Sequence, residues 1–207
     1  FWAIPHVAAR DESGQIRYDD SPIKPVDVNS IPIPDWDAVN LDDYQKRPWQ
    51  LVRRGKRVAT IFTTRGCPFE CAYCANPSFM GRKIRKRDPD KVVDEIQMLN
   101  EKYGVDEIHI GDDIFNADLE NAKQILREII RRKIKIFWKT PDGIHLEIFD
   151  DEFLRLMVES GAYQVGFGIE SGCPEILKGV KRRADLDKVP DFVAAFKRAG
   201  LSTFGFF

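Results

Sequence analysis

The sequence predicts an α/β protein built around a parallel sheet. Short apolar runs rich in β-branched residues alternate with longer amphipathic segments, and glycine or proline separates one from the next. A length of 207 residues with 43% hydrophobic content is enough for one sizeable core. Strands that alternate with helices through short connections form parallel sheets with right-handed crossovers. This periodicity fits a doubly wound sheet and a partial barrel equally well.

Five strands and four helices are expected in the second part of the chain. The first strand, residues 58–64, is apolar and β-branched, and an Arg-Gly pair ends it. Asp88 and Pro89 begin the first long helix as its cap and first residue, and Gly104 ends it. The other strands are expected at residues 106–111, 134–140, 163–170 and 201–207. The other helices are expected at residues 118–131, 150–160 and 186–199.

Residues 1–48 are expected to form an extended linker ahead of a core at residues 49–207. Proline is frequent in this part of the chain. The alternating prolines of residues 31–36 fix φ and remove backbone donors, so this stretch cannot be helical. Its apolar side chains predict that it packs against the core as a strap. A polar turn at residues 10–15 predicts a short hairpin upstream.

Charge and hydropathy exclude several classes of function. The chain has 32 basic and 33 acidic residues, so no global field favours nucleic acid or an anionic membrane. No apolar run is long enough to span a bilayer, and no signal peptide is recognised. We therefore expect a cytoplasmic protein without a membrane span. Because the chain starts at Phe1 and stops within an apolar run, we also expect a fragment of a longer protein.

The most informative motif is Cys67-Pro-Phe-Glu-Cys71-Ala-Tyr-Cys74. Three thiolates in one turn-rich loop can each bind one iron of a cubane cluster. Since no fourth cysteine lies nearby, one iron is left without a protein ligand, much as a catalytic zinc keeps one position free. The loop leaves the end of a predicted strand, which is where α/β folds place their sites. The spacing therefore predicts chemistry at a cluster.

A zinc-stabilised binding module is the alternative from another class. A structural zinc site would need a fourth ligand, for which His109, His145 and Cys173 are available. Such sites usually combine a CxxC pair with a second, distant pair, which this sequence lacks. Disulfides fit less well, because three clustered cysteines cannot all pair.

The cysteine spacing, with Tyr73 before the last cysteine, resembles the signature loop of the radical S-adenosylmethionine (SAM) enzymes. The resemblance implies that Cys67, Cys71 and Cys74 hold a 4Fe-4S cluster whose open iron chelates the amino and carboxylate groups of SAM. It implies that an external one-electron reductant, flavodoxin- or ferredoxin-like, drives SAM cleavage to a 5′-deoxyadenosyl radical. It also implies a partial (β/α)6 TIM-like barrel, with five of its parallel strands in this chain.

The same resemblance implies SAM contacts at the ends of the strands. The implied contacts are Tyr73, Asp112, Asp113, Glu170, Ser171 and Phe204. Asp112 and Asp113 would receive the amino group, although a turn or a helix cap would explain them as well. Glu170 and Ser171 would contact the ribose or the methionine end. Phe204-Gly-Phe206 would line the adenine side, with Phe204 as the contact, and a plain core strand explains this stretch equally.

Other polar residues receive no firm assignment from the sequence. Lys139, Asp142 and His145 surround the third strand end and could contact SAM, or simply lie in a solvated loop. The basic run at residues 81–87 could grip phosphate or RNA, but most such runs are solvated faces. The resemblance implies that this run borders the SAM site.

Three features resemble the cobalamin-dependent branch of the family: residues 31–44, Asp112-Asp-Ile-Phe115, and Gly168-Ile-Glu-Ser-Gly172. They imply that the full-length protein binds cobalamin through a domain outside this chain. The implied reaction is methyl transfer, or a radical rearrangement or cyclisation, on an unactivated carbon of a small molecule. A tRNA methylthiotransferase is the alternative enzyme. It would need a second cluster and an RNA-binding domain, and a nucleic-acid partner is not expected.

Overall fold

The computed structural model describes residues 7–18, 25–45 and 52–207. Within these ranges the strands are β1 (Ala8–Arg10), β2 (Ile16–Tyr18), β3 (Val58–Ile61), β4 (Thr64–Arg65), β5 (Arg85–Lys86), β6 (Glu107–Ile110), β7 (Phe137–Thr140), β8 (Ala162–Gly168) and β9 (Ser202–Phe206). The α-helices are α1 (Leu41–Gln45), α2 (Asn76–Phe79), α3 (Pro89–Tyr103), α4 (Leu119–Arg131), α5 (Asp151–Glu159), α6 (Pro174–Gly179) and α7 (Val189–Arg198).

The main sheet has five strands in the order β3-β6-β7-β8-β9, and every neighbouring pair is parallel. Each strand therefore lies beside the previous strand of this sheet, and the order never reverses. A doubly wound sheet would contain a switch point at which the order reverses. The strand order thus favours the barrel type, and the predicted partial barrel with five parallel strands is confirmed.

The capping residues and the apolar stripes of the helices define the same helix bounds, as α3 shows. Asp88 accepts a hydrogen bond from the backbone of Asp90 at the start of α3, and Gly104 ends it with φ of +65°. Helix α3 packs against α4, and α4 packs against α5. Trp138 lies at the centre of the core, and its indole nitrogen donates to Ser160 Oγ at 3.0 Å. The largest other fully buried side chains are Phe115, Phe153, Phe196, Ile61, Ile96 and Leu99.

All five predicted strands are shorter than expected, and two of them differ by three residues at one end. The first ends at Ile61, after which β4 leaves the main sheet and pairs antiparallel with β5. The third begins at Phe137, three residues later than predicted, and follows a turn at Lys133, whose φ is +57°. The last predicted helix begins as a 3-10 turn at Leu186–Lys188 and continues as α7.

The predicted hairpin is confirmed, since β1 and β2 pair antiparallel across the turn. The linker, however, is not extended throughout. Asp35 caps a 3-10 turn at Trp36–Ala38, and α1 follows, because the chain has no proline between Trp36 and Gln45. The predicted boundary between residues 48 and 49 lies outside the described residues.

Residues 36–45 pack against the core, whereas Ile31 and Ile33, two of the apolar side chains that predicted a packed strap at residues 31–36, are exposed. The indole of Trp36 donates to Glu95 Oε1 at 3.4 Å, and Leu41 is buried in the main apolar cluster. The amide of Gln45 bonds both the N–H and the C=O of Val58 at 2.9 Å. These two bonds satisfy backbone groups on the edge strand β3. Across the described ranges, no helix is long and apolar enough to cross a membrane.

Candidate functional site

The cysteine loop begins at Gly66, just beyond β4. Gly66 has φ of +93°, and a Cβ atom there would lie 2.5 Å from the carbonyl oxygen of Lys83. Only glycine fits both constraints. The next residue is fixed by a backbone hydrogen bond from Cys67 to Gly81 at 3.3 Å. The short β4–β5 ladder therefore holds the base of the loop in place.

The three clustered cysteines line one cavity of about 310 Å³. Its wall consists of Cys67, Phe69, Cys71, Tyr73, Cys74, Asn76, Pro77, Asp113, Ile114, Asp142, Gly143, Ile144, Gly168, Glu170, Arg182 and Phe206. All three are free thiols. The cavity lies where the loop after β3 meets the carboxyl ends of β6, β7, β8 and β9, as expected for a site in a parallel α/β fold.

Each of the three sulfurs has a hydrogen-bond donor. Burial raises the pKa of the Cys67 thiol, and a hydrogen bond from the backbone of Phe69 opposes that shift. The backbone N–H of Asn76 donates to Cys74 Sγ at 3.4 Å. Cys71 receives its donors from side chains, as described below. Donors of this kind stabilise a thiolate, which is the form that binds metal.

The residues proposed as a fourth zinc ligand do not join the cysteines. Cys173 contacts Glu175 Oε2 at 3.0 Å, and His109 is bonded to Glu107 at 2.7 Å inside the sheet. His145 stacks on the ring of Phe69, with centroids 4.6 Å apart. Among the residues that the structure describes, no three His, Cys, Asp or Glu side chains converge as ligands of a single metal ion would. In a cubane each thiolate binds a different iron, so this arrangement disfavours zinc.

Three of the six predicted SAM contacts lie in the cavity wall: Tyr73, Asp113 and Glu170. Tyr73 is half exposed; burial raises the pKa of its hydroxyl, and the nearby Cys71 and Glu170 raise it further. Glu170 has a left-handed backbone with φ of +70°, and its N–H donates to the carbonyl of Phe206 at 3.0 Å. Such strain in a non-glycine residue is frequent at functional sites.

Asp112, another of the predicted SAM contacts, is not among the residues that line the cavity. It is fully buried and accepts hydrogen bonds from the N–H and the hydroxyl of Thr63 and, at 3.0 Å, from the hydroxyl of Thr64. Burial raises the pKa of this carboxyl, and these bonds oppose the shift. Asp113 lines the cavity, while Asp112 bonds Thr63 and Thr64 and so joins the segments that follow β3 and β6.

Ser171 and Phe204 also lie outside the cavity wall. The hydroxyl of Ser171 accepts a hydrogen bond from the backbone of Cys173 at 3.1 Å, in the turn before α6. Phe204 is half exposed on β9 and contacts Phe206 edge to face, with centroids 4.9 Å apart. Phe206 lines the cavity instead, because it lies two residues closer to the carboxyl end of the same strand face.

Gly168 makes room for two charged side chains. A Cβ atom at this position would lie 2.2 Å from Glu170 Oε1 and 3.1 Å from Arg182 Nη2. Arg182 Nη2 donates to the carbonyl of Gly168 at 2.6 Å, and Nη1 lies 3.9 Å from Cys71 Sγ. No motif in the sequence indicates Arg182. It reaches the cavity because α6 has only six residues, which returns the chain to the strand end.

Asp142 is a second cavity residue to which the sequence assigned no role. Burial raises the pKa of its carboxyl, and the negative charge of Asp113 raises it further. Both carboxylates line the same cavity, and two acidic groups on one wall are suited to an ammonium group. Lys139 differs: it is buried below the cavity, where its amine donates to the carbonyl of Val52 and burial lowers its pKa.

The basic run borders the cysteine loop but its charges are largely paired. Arg82 contacts Glu70 at 3.1 Å, and Lys86 contacts Asp118 at 2.6 Å. Arg87 pairs with the buried Glu95 at 2.6 Å. Paired cations of this kind do not form an open phosphate-binding patch, which favours the prediction of a solvated, structural face.

Comparison with known proteins identifies a family, a relative and two solved structures. The sequence profile of the Radical SAM superfamily matches residues 61–207. Cytidylyl-2-hydroxyethylphosphonate methyltransferase of Streptomyces wedmorensis is 36% identical over 187 residues; the match covers 87% of this chain and 34% of the relative, so the chain spans about a third of it.

Solved structures show the same arrangement of elements. TsrM from Kitasatospora setae, a radical S-adenosylmethionine methyltransferase solved with cobalamin and a [4Fe-4S] cluster bound, has a TM-score of 0.65 and 25% identity over 72% of this chain and 30% of that one. OxsB, a cobalamin-dependent S-adenosylmethionine radical enzyme, has a TM-score of 0.74 and 16% identity over 97% of this chain and 29% of that one. The likeness to OxsB shows the fold.

Proposed function

The chain belongs to the radical SAM superfamily, and from that premise we propose that Cys67, Cys71 and Cys74 hold a 4Fe-4S cluster at which SAM is reductively cleaved. The observation that carries this proposal is the single cavity on which the three thiols and an acidic wall meet. The donor set fits the cluster, because three separate thiolates leave one iron free of protein ligands. Bound there and reduced, the cluster supplies the electron that cleaves SAM to a 5′-deoxyadenosyl radical.

The chain's own residues bind and orient the cofactors. The cavity wall carries the carboxylates of Asp113, Asp142 and Glu170. SAM has an ammonium and a sulfonium group, so an acidic wall is electrostatically complementary to it. We assign Asp113 and Asp142 to the ammonium, since both carboxylates line the cavity that the three cysteines share. Tyr73 and Phe206 offer aromatic faces on the same wall, suited to a purine.

Asp112, Ser171 and Phe204 are not part of the proposed contact set. Asp112 is assigned to a supporting role, because its hydrogen bonds to Thr63 and Thr64 fix the strand end from which the loop departs. Ser171 stabilises the turn before α6 through its hydrogen bond from Cys173, and Arg182 follows that helix.

The proposal extends to a cobalamin-dependent reaction of the full-length protein. The names of the relatives support it: one is a phosphonate methyltransferase, and TsrM was solved with cobalamin. The substrate would be a small molecule, and the outcome methyl transfer or a radical rearrangement or cyclisation on an unactivated carbon. An external flavodoxin- or ferredoxin-like reductant and a cytoplasmic location complete the proposal. Cobalamin would be held by the full-length protein rather than by this chain.

Anaerobic reconstitution tests the proposed cluster and its chemistry. The 207-residue chain should take up iron and sulfide in equal amounts, about four of each per chain for one cubane, turn brown, and release 5′-deoxyadenosine from SAM when reduced. Cys71→Ala should abolish that release. Cys173→Ala is the matched control, since Cys173 contacts Glu175 away from the cavity, and it should leave both readouts unchanged. Colourless protein with stoichiometric zinc would contradict the proposal.

A further inference from the structure

Cys71 differs from the other two clustered cysteines in where its donors come from. Cys67 and Cys74 receive hydrogen bonds from the backbone of their own loop, at Phe69 and Asn76. The donors to Cys71 are side chains. Tyr73 hydrogen-bonds to it from within the loop, and the Nη1 atom of Arg182 lies 3.9 Å from its sulfur.

Arg182 is held in place by the strand end on which it rests. Its Nη2 atom donates to the carbonyl oxygen of Gly168 at 2.6 Å, which leaves Nη1 directed at Cys71 Sγ. The absence of a Cβ at Gly168 provides the space, because a Cβ would lie 3.1 Å from Nη2. The backbone supports the same contact: the N–H of Ala72 donates to the carbonyl of Val180 at 2.8 Å. The segment after α6 is therefore bonded to the cysteine loop at two adjacent points.

We propose that Arg182 is a positioning residue that sets the reduction potential of a cluster bound through Cys71. The inference rests on the proposed function, because it requires that cluster. One-electron reduction takes a 4Fe-4S cluster from its 2+ to its 1+ state and adds one negative charge to it. A guanidinium that donates to a ligand sulfur stabilises the added charge. Hydrogen bonds to the sulfurs are an established determinant of such potentials.

The test is a redox titration of the reconstituted chain without SAM, followed by electron paramagnetic resonance of the reduced cluster. Arg182→Gln removes the charge and should shift the midpoint potential to a more negative value. Arg182→Lys keeps the charge but cannot reach both Gly168 and Cys71 as the planar fork does, so its shift should be smaller. Arg183→Gln is the matched control, because Arg183 is the exposed neighbour. Its potential should equal that of the wild type.

An unchanged potential in Arg182→Gln, or an equal shift in Arg183→Gln, would overturn the inference. If Arg182→Gln holds no cluster, Arg182→Lys reports the potential. Loss of the cluster from both variants, with Arg183→Gln intact, would also overturn it, since Arg182 would then be needed for assembly rather than for tuning. These outcomes differ from failure of the proposed function, in which the wild-type chain itself would hold no iron and sulfide.

Discussion

The side chain of Glu170 folds back over Gly168, so that a Cβ atom at residue 168 would lie 2.2 Å from Glu170 Oε1. The glycine is therefore needed for the position of a charged side chain two residues away. Glu170 is itself held in a left-handed conformation with φ of +70°. Alanine at position 168 cannot be accommodated without moving the carboxylate or the adjacent guanidinium of Arg182.

Gly168→Ala should consequently weaken SAM binding to the reconstituted chain by roughly tenfold, equivalent to about 1.4 kcal/mol. Isothermal titration calorimetry under anaerobic conditions measures the dissociation constant for SAM. Gly172→Ala is the control in the same loop, because a Cβ there would meet nothing within 4 Å. Equal affinities for the two variants would show that Glu170 and Arg182 do not shape the site.

Substitution of Asp112 should lower folding stability, whereas substitution of Asp113 should weaken SAM binding. Asp112→Ala removes the acceptor of buried hydrogen bonds from Thr63 and Thr64. Its free energy of unfolding should fall by roughly 3 kcal/mol, because buried donors are left unpaired. Asp113→Ala should change stability by about 0.5 kcal/mol or less and should weaken SAM binding. Urea denaturation and calorimetry on both variants check this, and the reverse pattern would contradict the assignment.

Gly66→Ala should impair cluster retention. The new Cβ would lie 2.5 Å from the carbonyl oxygen of Lys83, so the base of the cysteine loop must move. Gly81→Ala is the matched control: Gly81 also has a positive φ, of +75°, but a Cβ there meets nothing within 4 Å. The control should lose about 1 kcal/mol of stability from backbone strain alone and keep its iron. Equal iron content in both variants would contradict the claim that the position of the cysteine loop depends on glycine at residue 66.

Glu107 should make folding stability depend on pH in the acid range. Burial alone would raise the pKa of this carboxyl, but hydrogen bonds from His109, Gly55 N–H and Tyr163 outweigh it and lower the pKa to about 2. A depressed folded-state pKa contributes stability above the unfolded-state value, which is lost as the pH falls towards 2.

Between pH 7 and pH 3 the loss assigned to Glu107 is roughly 2 kcal/mol. Urea denaturation across this range should therefore show a shallower pH slope in Glu107→Gln than in the wild type. Glu12→Gln, on the exposed β1–β2 turn, serves as the control and should keep the wild-type slope. If the free energy of unfolding changed with pH equally in all three proteins, Glu107 would not be the cause of the acid sensitivity.

The sequence was sufficient to locate the strand ends but not to orient every residue on them. Caps such as Asp88, and the apolar stripe of α3, depend on local rules and were correctly predicted. The order of strands in the main sheet could not be deduced from the sequence, because curled and flat parallel sheets show the same alternation of strands and helices. The side to which Asp112 points depends on where β6 stops, which is a tertiary property, and a shift of one residue exchanges it with Asp113.

Arg182 shows a second limit of sequence reasoning. It lies 111 positions after Cys71 in the chain, and its contact depends on the length of α6 and on the empty space above Gly168. No local pattern encodes that path. The sequence indicated Phe204 and Phe206 together and could not choose between them, since only the pairing of β8 with β9 shows which aromatic residue of the strand reaches the cavity.

The most direct test of the account is electron–nuclear double resonance on the reduced, reconstituted chain with SAM labelled with ¹⁵N in its amino group and ¹⁷O in its carboxylate. A cluster held by Cys67, Cys71 and Cys74 alone should show coupling from both labels, because SAM would occupy the iron that the chain leaves open. A cluster whose spectrum is unchanged by labelled SAM, at concentrations that saturate binding, would contradict the claim.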